Sequence, residues 1–236
     1  MKTDKDPMGA AIRDYYLKGK ASQLRVFSPD FDEDEMPVPT LFRNFKEMSP
    51  LEQKALELAK GKILDVGAGS GCHSLSLQEM GKNVVAIDIS PLSVQTMKDR
   101  GVKVVKEINF FQIEGEFFDT ILMLMNGAGI IGKIDKLPVF FSHIKSLLAP
   151  DGILLLDSSD LRYLYEEEDG SFMIDLNDNY YGEMEFYMQY KDIKGDQFPW
   201  LYIDFNTLQM YAEENGFKAE LILLGEHYDY LAKIYR

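Results

Sequence analysis

Three glycines at alternate positions, Gly67, Gly69 and Gly71, stand between an apolar run that ends in an acid, Ile63-Leu64-Asp65, and a segment with helical spacing that places Leu75, Leu77 and Met80 on one side. Glycine is required where the backbone takes a positive φ or lies against a ligand with no Cβ between them. A helix that starts directly after such a turn offers unpaired N–H groups to electron-rich atoms. A second acid, Asp88, closes the next apolar run, Asn83-Val-Val-Ala-Ile-Asp. At that place in an α/β sheet a carboxylate can accept hydrogen bonds from both ribose hydroxyls of an adenosine. The spacing is G-x-G-x-G, not the G-x-G-x-x-G of dinucleotide folds. The plainer reading of the glycines is a turn that lets a helix pack closely on a sheet.

Asp65, Gly67, Gly69, Gly71 and Asp88 together resemble the first motifs of the class I S-adenosylmethionine (SAM)-dependent methyltransferases, in which an acid precedes G-x-G-x-G. The resemblance covers residues 50 to 157 and 204 to 236. It implies a doubly wound, mostly parallel seven-stranded α/β sheet of order 3-2-1-4-5-7-6, with a terminal antiparallel hairpin. It also implies SAM as cofactor and S-adenosylhomocysteine as product. By the same resemblance Asp65 approaches the methionine end of the donor and Gly67, Ala68, Gly69 and Gly71 line it. Asp88 grips the ribose, Ile89 packs on the adenine, and Asn109 and Phe110 meet the base. Met125, Asn126 and Gly127 lie near the sulfonium. Members that methylate adenine or glutamine nitrogens carry Asn-Pro-Pro-Tyr here; this chain has Asn126-Gly-Ala-Gly, which counts against a DNA base or a glutamine amide.

Candidates for chemistry on the acceptor are His73, Asn126 and Tyr181. A histidine beside a methyl donor could act as a base, or simply pack. Cys72 at a helix start could have an activated thiol, or be a small residue beside the cofactor. Three scattered histidines and one cysteine give no metal-ligand cluster. The substrate candidates are Tyr15, Tyr16, Arg43, Tyr181, Trp200 and Tyr202. They come from an N-terminal segment and from an aromatic-rich insertion after the fifth strand, which emerges beside the donor. Tyrosine offers an apolar body with a polar tip. The alternative is that these aromatics hold an extra hairpin together through cross-strand pairs.

The elements that must position these residues are legible as alternation. Ser49, Pro50 and Glu52 make a capping box that opens a helix expected to stop at Gly61. Apolar runs at 62–66, 83–88, 102–106, 119–125 and 153–160 alternate with helices, the pattern of right-handed βαβ units. Residues 137–148 have helical spacing, 206–216 read as a helix, and the tail folds back around Gly225. Residues 1–49 read as a helical cap: a helix over 8–24 broken near Gly19, then an exposed connector over 28–39. Residues 50–236 form the donor-binding domain, with the insertion at 158–203.

The 236 residues carry a net charge of −14, and no basic stripe is present. Polyanion binding needs Lys and Arg to displace counterions, so nucleic acid and anionic membrane are poor partners. No apolar run reaches a membrane span, the N-terminus lacks a signal-peptide core, and a single cysteine suits a reducing, cytoplasmic setting. A small-molecule methyl acceptor is therefore expected. Two alternatives are a non-catalytic SAM-binding module and, opposed by the glycine spacing, a nicotinamide-dependent oxidoreductase.

Overall fold

The computed structural model describes residues 1–29, 31–166 and 179–236. Part of the expected insertion, residues 167–178 with most of the Glu166–Asp169 acidic run, lies outside them. In chain order the elements are α1 (Pro7–Lys18), β1 (Leu24–Phe27), β2 (Asp34–Met36), α2 (Pro50–Leu58), β3 (Lys62–Val66), α3 (Cys72–Glu79), β4 (Asn83–Asp88), α4 (Pro91–Asp99), β5 (Val105–Glu107), β6 (Phe118–Met123), α5 (Leu137–Leu147), β7 (Leu148–Ser159), β8 (Glu183–Tyr190), β9 (Ile193–Lys194), β10 (Phe198–Leu201), α6 (Phe205–Glu214), β11 (Lys218–Leu224) and β12 (Asp229–Tyr235).

A seven-stranded sheet runs β11-β12-β7-β6-β3-β4-β5. The β7-β6-β3-β4-β5 stretch is parallel, while β12 pairs antiparallel to β7 and β11 antiparallel to β12. Its central strands β3, β4, β6 and β7 are buried on both faces, which is why they read as continuous apolar runs. One face, with Leu64, Val66, Ile121, Met123, Leu154 and Leu156, packs on α5 and α6. The other, with Ile63, Val84, Leu122 and Leu155, packs on α2 and α3. Ala86 meets Val94 and Met97 of α4. All loops that follow the parallel strands therefore gather at one carboxyl edge.

Local chemistry sets the element ends. In α2 the Ser49 hydroxyl accepts from the Glu52 N–H and the Glu52 carboxylate accepts from the Ser49 N–H. That helix ends at Leu58, short of Gly61. In α1, Asp6 caps the N-terminus by accepting from the Gly9 N–H at 2.8 Å, and Gly19 closes the helix at φ 68°.

The N-terminal segment departs from the expected helical cap. The helix stops at Lys18, and Leu24–Phe27 is a strand. The expected connector contains β2 and a 3-10 turn over Val38–Phe42 whose Val38 and Leu41 are buried. A second, antiparallel sheet of order β10-β8-β1-β2, with β9 on β8, joins this segment to the insertion. Leu24 pairs with Tyr190 and Phe27 with Tyr187. Its inner side closes a small core of Ala11, Leu24, Val38 and Tyr190 against α1.

Candidate active site

The three glycines of the loop after β3 have different tasks. Gly71, at φ 84°, starts α3, and a Cβ there would stand 2.9 Å from both Met97 Cγ and Val102 Cγ2, so it is a close-packing glycine. Gly67 is exposed, at φ 67°, and its nearest neighbour is Ile130 Cδ1 of the loop after β6. Gly69, at φ 58°, has Ile12 Cδ1 of α1 3.9 Å from where a Cβ would stand, an ordinary contact distance. The helix-packing reading thus holds for Gly71; Gly67 and Gly69 are called for by their positive φ and lie against Ile130 and Ile12.

Asp88 ends β4 beside this loop. Its two carboxylate oxygens accept from the Gly69 N–H and the Ser90 N–H, each at 2.8 Å. Burial pushes its pKa up to about 6 despite these bonds. The Ile89 N–H also favours the charged form, and a carboxylate has about four acceptor sites, so the group retains capacity for a ligand hydroxyl. Ser90 caps α4, as its side chain accepts from the Ser93 N–H. Ile89 is 44% exposed, an apolar surface standing free next to Asp88. These features fit an adenosyl group: a carboxylate for the ribose, an exposed apolar side chain for the base, and a loop with no side chains in the way.

Asp65 is buried under the loop and accepts from the Ser74 hydroxyl at 2.6 Å. Burial raises its pKa. Beside it lies a network that the sequence did not announce. Glu52 accepts through one oxygen from both Arg43 (2.6 Å) and His73 (2.7 Å). Burial works against the Glu52 charge, but the hydrogen bond and charge of His73, the Ser49 N–H and the charge of Arg43 outweigh it and hold the carboxyl down to about 2. Burial lowers His73, and Glu52 and Asp65 more than reverse this, so its pKa is raised. His73 is therefore an ion-pair residue beneath the site; it is not presented to an acceptor as a base. Burial, with the Asp65 and Glu52 charges, pushes the Cys72 thiol up to about 12, which makes it inert.

The loop after β6 carries consecutive non-glycine residues in the left-handed region, Met125 at φ 65° and Asn126 at φ 57°. Asp157, at the end of β7, holds them: its carboxylate accepts from the Met125 N–H at 2.9 Å and the Gly127 N–H at 2.8 Å. Burial raises Asp157 to about 6. Asn126 accepts from the Ser159 hydroxyl at 2.8 Å. Arg43 reaches the same loop, with Nη2 3.5 Å from Met125 Sδ, and its Nε is buried without a partner among the described residues. Sequence reading missed Asp157 because it sits inside Leu154-Leu-Leu-Asp-Ser-Ser, where an acid looks like the fraying end of a strand.

The remaining candidates separate. Asn109 is exposed, with its side-chain oxygen accepting from the Phe111 N–H, whereas Phe110 is core, packed on Phe140 and His143. Tyr15 packs on Phe42, whereas Tyr16 donates to the Asp99 carbonyl of α4 and docks α1. Tyr181 donates to Asp160 at 2.8 Å, and burial followed by its bonds to Tyr180 and Asp160 raises its pKa, so it stays a neutral donor and is unsuited to act as a base. Trp200 of β10 lies against Gly129, whose missing Cβ makes room for the indole. Tyr202 packs edge-on to Phe186. The roof over the carboxyl edge is thus α1 on one side and β10 on the other.

The chain matches the methyltransferase domain family over residues 39–220. It is similar to a SAM-dependent methyltransferase from Bacteroides fragilis solved in complex with S-adenosyl-L-homocysteine: 62% identity, 99% of this chain and 96% of that one covered, TM-score 0.94. It is 26% identical over 148 residues to ribosomal RNA small subunit methyltransferase J of Bdellovibrio bacteriovorus, covering 61% of this chain and 54% of that protein. It is 27% identical over 113 residues to the ubiquinone biosynthesis O-methyltransferase of Rickettsia conorii, covering 45% and 38%. The chain spans about half or less of the length of these curated relatives. The glycine loop, its two acids, the parallel sheet and the match over most of the chain make it a member of the methyltransferase domain family, a class I SAM-dependent methyltransferase.

Proposed function

We propose that this chain transfers the methyl group of SAM to a nucleophile on a small molecule. When bound, SAM supplies an electrophilic methyl carbon on a sulfonium. Asp88 and the loop at Gly67 and Gly69 hold the nucleoside, and Asp65 and Arg43 face the amino-acid end. Asn126 and its turn border the reacting centre. With His73 paired to Glu52 and Tyr181 holding its proton, neither of these two candidates is free to act as the base. The protein's contribution is then alignment and exclusion of water, and the acceptor arrives as a neutral or already ionised nucleophile.

The observation that carries the small-molecule reading is the roof. α1 places Ile12 over Gly69, and β10 places Trp200 on Gly129. Such a roof suits an acceptor that can be enclosed better than a polymer. A cytoplasmic setting is in keeping with the single buried thiol; no helix among the described residues is long and apolar enough to cross a membrane.

The cofactor half is tested by thermal melting. At a hundredfold excess over its dissociation constant SAM should add about 2.7 kcal/mol, a shift of about 5–10 °C for a domain of this size, while NAD does little. A shift with NAD and none with SAM sinks the proposal. The acceptor half is tested by incubating the protein and SAM with fractionated metabolites and measuring S-adenosylhomocysteine. With an acceptor in hand, Trp200→Ala should raise KM or cut turnover while SAM affinity stays within about twofold. Normal turnover in that variant would make β10 scaffold only.

A further inference from the structure

Asp157 shares with Asp88, and not with Glu52, a carboxylate held by backbone N–H groups with no cation on it among the described residues. Glu52 has Arg43 and His73 on it. Asp157 accepts from the Met125 and Gly127 N–H groups, one on each oxygen, with the Asn126 N–H also favouring its charge, and has no cation partner among the described residues. It is 8% exposed, and the further charge that acts on it from α2 is Glu52, an anion. A buried carboxylate with no counter-charge is costly. The fold keeps it directly beneath the turn at Met125–Gly127, and that turn reaches the glycine loop through Ile130 and Gly67. The ends of β3, β6 and β7 are adjacent, with Asp65 beside Leu122 and Met123 beside Leu156. A cation that enters between these strand ends meets the carboxylates of Asp65 and Asp157, while the Arg43 guanidinium at the same turn is paired with Glu52.

We propose that the Asp157 carboxylate is the counter-charge by which this site favours a cationic sulfonium donor over its neutral thioether product. This rests on the donor being SAM. The reaction removes the positive charge from sulfur, so attraction to Asp157 is present before transfer and lost after it. The residue therefore acts on donor choice and on product release, in addition to pinning the turn. A purely structural Asp157 would hold the turn equally for SAM and for S-adenosylhomocysteine, since the two differ by one methyl group and one charge.

The test is calorimetric titration of SAM and of S-adenosylhomocysteine into wild-type protein and Asp157→Asn. The expected result is a fall of about tenfold in the ratio of SAM affinity to S-adenosylhomocysteine affinity, the size of a charge interaction at intermediate effective dielectric. Equal weakening of both ligands assigns Asp157 to the turn alone and overturns the proposal; so does no change in either. Because Asp157→Asn could release the strained turn or prevent folding, the same comparison is made in a Met125→Gly/Asn126→Gly background, where the positive φ costs little. There, removing the charge must still lower the ratio. Failure of wild-type protein to bind SAM at all would instead refute the cofactor assignment.

Discussion

Asp88, the proposed ribose clamp, first serves the protein itself. It ties the Gly69 N–H to the end of β4 and caps the Ser90 N–H, so it shapes the loop before any ligand arrives. Asp88→Ala should weaken SAM by about 2–3 kcal/mol, the worth of a charged hydrogen-bonding group. Asp88→Asn should lose less, since one acceptor oxygen remains. Calorimetry that returned wild-type affinity for the alanine variant would take Asp88 out of the site. Glu52 makes the second residue-level case. Its folded pKa is depressed from 4.5 to about 2, so it contributes stability above about pH 4.5 that is lost as pH falls through 2. His73 is raised above 6.5, so its contribution is whole below 6.5 and is lost as pH rises through its folded pKa. The pair is at full strength between these limits. Glu52→Gln leaves Arg43 and His73 without their shared anion and should cost about 3–5 kcal/mol in that window. Urea unfolding at about pH 5.5 and about pH 3 checks this; a gap between variant and wild type that does not narrow at the lower pH would exclude the ion pair as its source.

The elements were legible in the sequence to the extent that their patterns are local. Continuous apolar runs reported strands buried on both faces, and Ser49-Pro50-Leu51-Glu52 reported a helix start, because both follow from neighbours in the chain. The second sheet was not legible. β1 is four residues long, β2 three, and β1 finds its partner in β8 across most of the chain. A stretch as acidic as Asp30-Phe-Asp-Glu-Asp-Glu gives no period from which to infer pairing. The sequence leaves Phe110 between cofactor contact and plain core for a related reason: an aromatic after a strand can face a ligand or the core, and the sequence does not show that α5 brings Phe140 and His143 against it. The docking of α1 belongs at this scale. Gly9 sits where any Cβ would run into Asp6 and the Ser90 hydroxyl, which donates to Asp6 at 2.6 Å. Gly9→Val should lever α1 off α4, uncover Gly69 beneath Ile12 and lower SAM affinity about tenfold, the equivalent of about 1.4 kcal/mol of overpacking. Proteolysis should cut the loosened N-terminal segment while the seven-stranded core persists. Unchanged SAM affinity with a detached helix would mean that α1 is not a lid on the donor.

At the scale of the whole molecule the open choice is between a small acceptor and a nucleic acid, and it is sharpened by a relative that bears a ribosomal RNA methyltransferase name. RNA binding draws on Lys and Arg that release counterions from phosphates, and affinity then falls steeply with salt. This chain has 25 such residues against 39 acids. Cations near the N-terminal roof are already engaged by neighbouring acids, Arg13 by Asp99, Arg25 by Glu33 and Lys191 by Asp14. The mouth of the site adds Asp160 and Asp204, both bonded to tyrosines. A phosphate backbone brought to this edge would stand near these carboxylates, and at moderate salt charges interact over about 10 Å. Methyl-labelled SAM with total RNA at about 50 mM salt should therefore leave the RNA unlabelled, whereas a metabolite fraction should accept the label. RNA that becomes labelled, at a rate that drops sharply when salt is raised to about 200 mM, would show an electrostatic track that this charge distribution does not provide and would replace the small-molecule assignment.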